Sequence, residues 1–340
     1  MSTQEAGQPV QGVLGAIAPE DLGFTQSHEH ASLDIREFVD ETFHLDDLEQ
    51  VGDDLRVARG NGLRTIVDVG TDGHRRSPHF LADVARYSRV QIVASTGYWR
   101  EIAYPGYLAA ETDEQLAARM TADICDGIQG TDVRAGAIGE IGSETPGMSP
   151  LEEKAFRAAA RAQRETGVPL ITHTAEGLDA LRQLELLTDC GVPPERILIG
   201  HVDCVDDVEL HSKIAAAGAF VGYDRVGLTQ FQPDSVRVRL ITEMLERGHG
   251  RQLIISTDLA TQKDMRNHGR PGYSYLIEEF LLDLFGRSQR LGCAVGYNRH
   301  RWIVESDAIY DLGHALCCRL HKMGVERAAD VERLTETGTH

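Results

Sequence analysis

Lysine is scarce in this 340-residue chain: Lys154, Lys213, Lys263 and Lys322 are the only four, against thirty arginines. None of them ends an apolar run, so the chain lacks the nucleophile that a Schiff-base aldolase needs at the mouth of its fold. Positive charge as a whole is in deficit, with 34 basic residues against 53 acidic ones and a net charge of −19. Nucleic acid and anionic membrane are therefore excluded as partners, since no local basic patch offsets the repulsion. No apolar run approaches the roughly 18 residues of a membrane span. The opening segment MSTQEAGQPV is polar, with neither a basic start nor an apolar stretch, which implies an unsecreted, cytoplasmic protein. Cys125, Cys190, Cys204, Cys293, Cys317 and Cys318 form no CxxC and no even spacing. That argues against a disulfide framework or a cysteine zinc site.

What the chain does contain is 41% hydrophobic residues, enough for a large core, set out in a regular alternation. Val- and Ile-rich runs at 24–28, 63–69, 90–96, 135–141, 168–173, 196–201, 219–224 and 252–258 are expected strands. Helical stretches fall between them, roughly at 46–60, 77–88, 112–128, 150–166, 177–189, 206–217, 234–248 and 273–286. Pro78, Pro150 and Pro233 sit near helix starts, and Gly167, Gly191 and Gly218 follow helix ends. Such alternation predicts an α/β fold, a (β/α)8 TIM barrel over about residues 24–286 of a single 1–340 domain. Residues 10–23 are expected to form a short hairpin at the barrel floor or edge. Residues 287–340 are expected to be a C-terminal helical extension.

Six candidate metal ligands stand at the ends of these runs: His28 and His30 in SHEH, Glu140 in AIGEIG, His173 in LITHT, His201 in LIGH and Asp258 in IISTD. A parallel barrel projects the carboxyl ends of its strands onto one face, so residues far apart in sequence converge there. An isolated HxH is a weak signal. Four imidazoles and two carboxylates in the same phase of a repeating unit are a strong one. Residues i and i+2 of a strand share a face, so His28 and His30 can serve one ion. Imidazole with carboxylate suits zinc and other borderline divalent metals rather than calcium or magnesium. The pattern points to a two-metal hydrolase.

Taken together, GAIAPEDLGFTQSHEH, AGAIGEIGSE, TGVPLITHTAEG, ILIGH, GYDRVG and LIISTD resemble the phosphotriesterase-related family of the amidohydrolase superfamily, over about Gly12 to Phe280. The resemblance implies a TIM barrel, two divalent ions per chain (zinc first, with manganese, cobalt or iron as alternatives) and hydrolysis by a metal-bridging hydroxide. It implies that His28, His30 and Asp258 bind the more buried ion, that His173 and His201 bind the more exposed one, and that Glu140 bridges both. Many members carry a carboxylated lysine at the bridge, and Glu140 places this chain with the glutamate-bridged branch. Either group gives a pair of oxygens with one negative charge, as cations about 3.5 to 4 Å apart require. Gly139 and Gly142 are expected to let ligands approach closely. Asp258 is expected to carry a proton toward the leaving group.

Substrate contacts are expected from Tyr98 and Trp99 after the third strand and Arg225 after the seventh, since a tyrosine and an arginine occupy similar positions in related lactonases. Packing beneath a loop is the competing reading for the two aromatics. Asp224 is read as an ion-pair partner of Arg225. The leading function is hydrolysis of a carboxylic ester, lactone or amide. Phosphoester hydrolysis at the same centre is the alternative, and a metal-dependent lyase or isomerase is the alternative from another class. The partner is a small-molecule substrate, and a homodimer is left open.

Overall fold

Strands this rich in Val and Ile need cover on both faces, and a ring of helices outside with packed strand side chains inside supplies it. The computed structural model describes residues 9–144 and 147–288, with the backbone of two further strands at 295–298 and 301–304. The sheet runs in sequential order through β1 (Phe24–Glu29), β2 (Leu63–Asp68), β3 (Gln91–Thr96), β4 (Ala137–Gly142), β5 (Leu170–His173), β6 (Ile197–Ile199), β7 (Phe220–Tyr223) and β8 (Leu253–Ile255). Every paired neighbour is parallel. Each of the eight expected runs is a strand of this nearly closed barrel. Between and after the strands lie α1 (Leu48–Gly60), α2 (Pro78–Ser88), α3 (Asp113–Cys125), α4 (Pro150–Thr166), α5 (Ala180–Asp189), α6 (Val208–Ala216), α7 (Asp234–Glu246) and α8 (Leu281–Ser288). Among the described residues, no helix is long and apolar enough to cross a membrane.

Local sequence explains the helix ends. For α4, the Ser149 hydroxyl accepts from the Glu152 amide while the Glu152 carboxylate accepts from the Ser149 amide, and Pro150 stands first in the helix. This reciprocal cap satisfies donors that the helix itself leaves orphaned. At the other end Gly167 takes φ 75°, a left-handed stop that costs glycine little. The face between these caps buries Ala155, Phe156, Ala158, Ala159 and Ala162 completely against the sheet and the flanking helices. Truncating Phe156 to alanine there is expected to cost about 3–5 kcal/mol. Inside the barrel Val69, Ala137, Ile171 and Leu198 pack with Val67, Phe220 and Ile254.

Barrel closure falls to β1 and the residues after β8. The His28 amide donates to Ser256 Oγ at 3.1 Å, the Asp258 amide to the His28 carbonyl at 3.2 Å and the His30 amide to the Leu259 carbonyl at 3.3 Å. Glu29 faces away from its two histidine neighbours and fastens this seam. Its carboxylate accepts from Ser256 Oγ at 2.7 Å, from the Thr257 amide and hydroxyl at 2.8 Å and from the Leu259 amide at 3.0 Å. Burying a carboxylate is costly unless its oxygens are satisfied, and these donors satisfy them.

The expected N-terminal hairpin is present as strands Val10–Gly12 and Gly15–Ile17, which pair antiparallel. It caps the barrel floor: the Val13 amide donates to the Ile92 carbonyl at 2.8 Å, and Ile17 packs with Leu22 and Val93. The expected helical extension needs correction where it is described. Val295–Asn298 and Arg301–Val304 pair as antiparallel strands. β-branched and aromatic content such as that of RWIV favours an extended backbone over a helix. The rest of 289–340 lies outside the described residues.

Candidate metal centre

The strand alternation that turns i and i+2 to one face brings His28 and His30 together at the carboxyl end of β1. His28 Nε2 lies 3.1 Å from Glu140 Oε2, and His30 Nε2 lies 3.6 Å from Glu140 Oε1. His173, the last residue of β5, places Nδ1 2.9 Å from Glu140 Oε2 and 2.9 Å from His201 Nε2. His201 and Asp258 follow β6 and β8 with left-handed backbones, φ 59° and 50°. Such conformations are costly for residues with side chains and persist where surrounding contacts enforce them. Asp258 Oδ1 is 3.4 Å from His30 Nε2 and 3.7 Å from His28 Nε2, and its Oδ2 is 3.9 Å from His201 Nε2. The structure thus gathers all six expected ligands into one buried cluster, none more than 8% exposed.

The donor set fits divalent metal. Ligand atoms at about 2.1 Å from one four-coordinate ion stand roughly 3.4 Å apart, and the separations above run from 2.9 to 3.9 Å. His28, His30 and Glu140 form one compact triad, and Glu140, His173 and His201 form another, each with its ligand atoms within 4.8 Å of one another. Glu140 belongs to both. Burial opposes its charge, yet His173, His201 and His28 hold its carboxyl well below the usual range. Burial also pushes His173 down to about 3, against the opposing pull of Glu140.

Behind these ligands stands Asp224, fully buried after β7. Its Oδ1 accepts the His201 amide at 2.8 Å and lies 2.8 Å from His201 Nδ1, while Oδ2 lies 3.2 Å from His28 Nδ1. A carboxylate on the far nitrogen fixes a histidine's orientation and leaves the near nitrogen free to ligate. Burial disfavours the charge of Asp224, but His201 and His28 keep its carboxyl well below the usual range. The reading of Asp224 as an Arg225 partner is therefore wrong, because the two imidazoles and a backbone amide hold it.

Arg225 instead pairs with Asp258, its Nε 3.1 Å from Oδ2, and stacks 4.2 Å from the Phe231 ring centre. Trp99 reaches the cluster, with Nε1 3.3 Å from His173 Nδ1. Tyr98 does not. Its ring meets Tyr104 and Tyr107, each at 6.3 Å between centres, and lines a separate cavity with Asp72, Arg119 and Asp123. Gly97, at φ 143°, turns the chain between β3 and these aromatics, so strand parity no longer assigns their faces. Gly139 and Gly142 also act differently from expectation. A Cβ at Gly139 would lie 2.3 Å from the Ile171 carbonyl, and one at Gly142 would lie 2.5 Å from the Trp99 carbonyl. They admit neighbouring backbone rather than a ligand.

The sequence reading missed Asp224 as a histidine partner, Glu29 as the seam fastener and His74 altogether. His74 is buried, with Nε2 3.5 Å from Glu140 Oε1. It closes a short turn after β2 rather than ending an apolar run. The signal available was its place on the carboxyl side of a barrel strand, the face on which such residues gather.

An eight-stranded parallel barrel with a carboxylate set between imidazole pairs at its carboxyl-terminal mouth defines a hydrolase of the metal-dependent barrel class. The model of the phosphotriesterase family matches residues 8–290, and the chain belongs to that family. It is 32% identical over 266 residues to the phosphotriesterase homology protein of Escherichia coli, covering 78% of this chain and 91% of that one. A crystal structure of the E. coli protein with phosphate in its active site superposes with a TM-score of 0.78 at 31% identity, over 86% of this chain and 96% of that one. Identity to an aryldialkylphosphatase of Saccharolobus solfataricus is 34% over 248 residues, covering 72% and 79% of the two chains. A lactonase of Listeria monocytogenes superposes with a TM-score of 0.82 at 26% identity, over 93% of this chain and 100% of the other.

Proposed function

We propose that this hydrolase is binuclear, with His28, His30 and Asp258 around one divalent ion, His173 and His201 around the other and Glu140 between them, and that it cleaves a carboxylic ester, lactone or amide. The observation that carries the reading is the membership of Glu140 in both ligand triads. Zinc suits the donors best, and manganese, cobalt and iron also accept them. Bound there, such ions supply Lewis acidity and lower the pKa of water toward 7.

The chain's own residues supply the rest. Asp258 faces the cluster with both oxygens and takes the proton released as water attacks, passing it toward the leaving group. Arg225, 3.1 Å behind it, holds that carboxylate in place and keeps it ionised until the proton arrives. Trp99 walls the His173 side and keeps water from that flank. Tyr98, turned toward Tyr107, takes no part in this scheme.

A phosphotriester substrate is the second reading, favoured by the aryldialkylphosphatase relative and by phosphate in the E. coli structure. The test is turnover in ¹⁸O-labelled water of a panel holding lactones, aryl esters, N-acyl amides and aryl phosphotriesters. The first reading expects the highest kcat/KM on a carbonyl substrate, with one ¹⁸O in the acid product. Turnover confined to phosphotriesters would replace it with the second.

A further inference from the structure

We propose that His74 is a positioning residue for Glu140, donating from Nε2 to Oε1 of that carboxylate; the proposal rests on Glu140 being the metal bridge. His74 closes a short turn, Asp72–His74, just after β2, and is 1% exposed. Its Nδ1 accepts the Thr71 backbone amide at 2.9 Å, with the Thr71 hydroxyl at 3.1 Å. A backbone N–H can only donate, so Nδ1 carries the lone pair and the single ring proton of the imidazole resides on Nε2. That nitrogen lies 3.5 Å from Glu140 Oε1, an atom that can only accept.

The two oxygens of Glu140 are unequally served. Oε2 has His173 at 2.9 Å, His28 at 3.1 Å and His201 at 3.5 Å, whereas Oε1 has His74 at 3.5 Å and His30 at 3.6 Å. His74 is also held in place, its ring centre 4.7 Å from Trp99 and 5.2 Å from His30. The turn beneath it has no slack, since a Cβ on Gly73 would lie 2.6 Å from the Ala103 carbonyl. A fifth histidine beside the cluster thus serves as a fixed donor and not as a ligand, because the nitrogen facing the centre bears the proton. Its effect is to select the bridging orientation of Glu140, and removal of such a partner typically weakens metal binding about 10- to 100-fold.

The test titrates metal-free protein with Co²⁺ against a competing chelator and reads the visible absorption of bound cobalt. His74→Met keeps bulk without a donor, and His74→Gln restores an N–H. The expected result is two Co²⁺ in the wild type, about 10-fold or weaker binding of at least one ion in His74→Met, and recovery to within about threefold in His74→Gln. His74→Met matching the wild type, or equal loss in both variants, overturns the proposal. Failure of the wild type to take two ions would instead overturn the binuclear reading. Should His74→Met not fold, ¹⁵N spectra of histidine in the zinc-loaded wild type decide. A proton on His74 Nε2 supports the proposal, and a proton on Nδ1 or a metal on Nε2 overturns it.

Discussion

Replacing Asp224 with asparagine separates the two halves of the centre, because the side chain keeps its size and loses one acceptor. In the wild type Asp224 Oδ1 accepts the His201 amide at 2.8 Å and faces His201 Nδ1, while Oδ2 faces His28 Nδ1 at 3.2 Å. The asparagine oxygen must stay on the His201 side, since an NH₂ group there would confront a backbone donor. The NH₂ then faces His28, whose Nδ1 has to accept, and the His28 proton moves to Nε2, the nitrogen 3.1 Å from Glu140. His28 is thereby spoiled as a ligand and His201 is spared. Loss of such a partner costs about 10- to 100-fold in metal affinity, or roughly 1.4–2.7 kcal/mol. Competitive chelator titration of Asp224→Asn should show one weakened ion and one nearly unchanged, with His28→Ala weakening the same ion. Unchanged affinity for both ions, or a loss confined to the ion that depends on His173, would refute the tautomer argument.

Asp258→Asn should retain metal and lower kcat roughly 10²-fold, the scale of lost acid-base catalysis, whereas Arg225→Lys, which loses the Nε contact and the guanidinium stack on Phe231, should lower it about tenfold; steady-state kinetics on the best panel substrate decide. Because Glu140 carries its carboxylate covalently, recovery of activity on adding metal to the metal-free protein should not accelerate with bicarbonate, and a strong acceleration would count against Glu140 as the bridge. Asp54 ties the loop after β8 to α1 by accepting the Arg266 and Tyr273 amides at 2.8 and 3.1 Å, and burial raises its pKa from 3.8 to about 6. A raised folded-state pKa means that Asp54 adds stability below about pH 4 that is lost as pH climbs through 6, about 3 kcal/mol in all. Asp54→Asn should therefore gain on the wild type across that window in urea unfolding, and parallel pH profiles would show that Asp54 does not titrate there.

Much of the architecture was legible because both signals for it are local. Val and Ile runs mark strands covered on both faces, and the prolines and glycines at 78, 150 and 167 punctuate the helices. The six ligands could be read because each lies in the last residues of a strand or just after it, a place that the barrel turns into a common mouth. What escaped were partners set by three-dimensional approach. Glu29 sits inside the SHEH motif, but its role depends on Ser256 and Thr257 arriving alongside. Asp224 and Arg225 are sequence neighbours, and adjacency suggested a pair. The chain instead sends one to His28 and His201 and the other to Asp258. Tyr98 and Trp99 were interchangeable by position until Gly97 bent the backbone between them and β3.

Elemental analysis of gel-filtered, active protein tests the central claim most directly, because Glu140 as the proposed bridge between two ligand triads calls for two ions where a single triad would call for one. The account predicts two divalent ions per chain, removal of both by chelator with loss of activity, and return of activity on adding back zinc or cobalt. A fully active preparation holding one ion or none would contradict it.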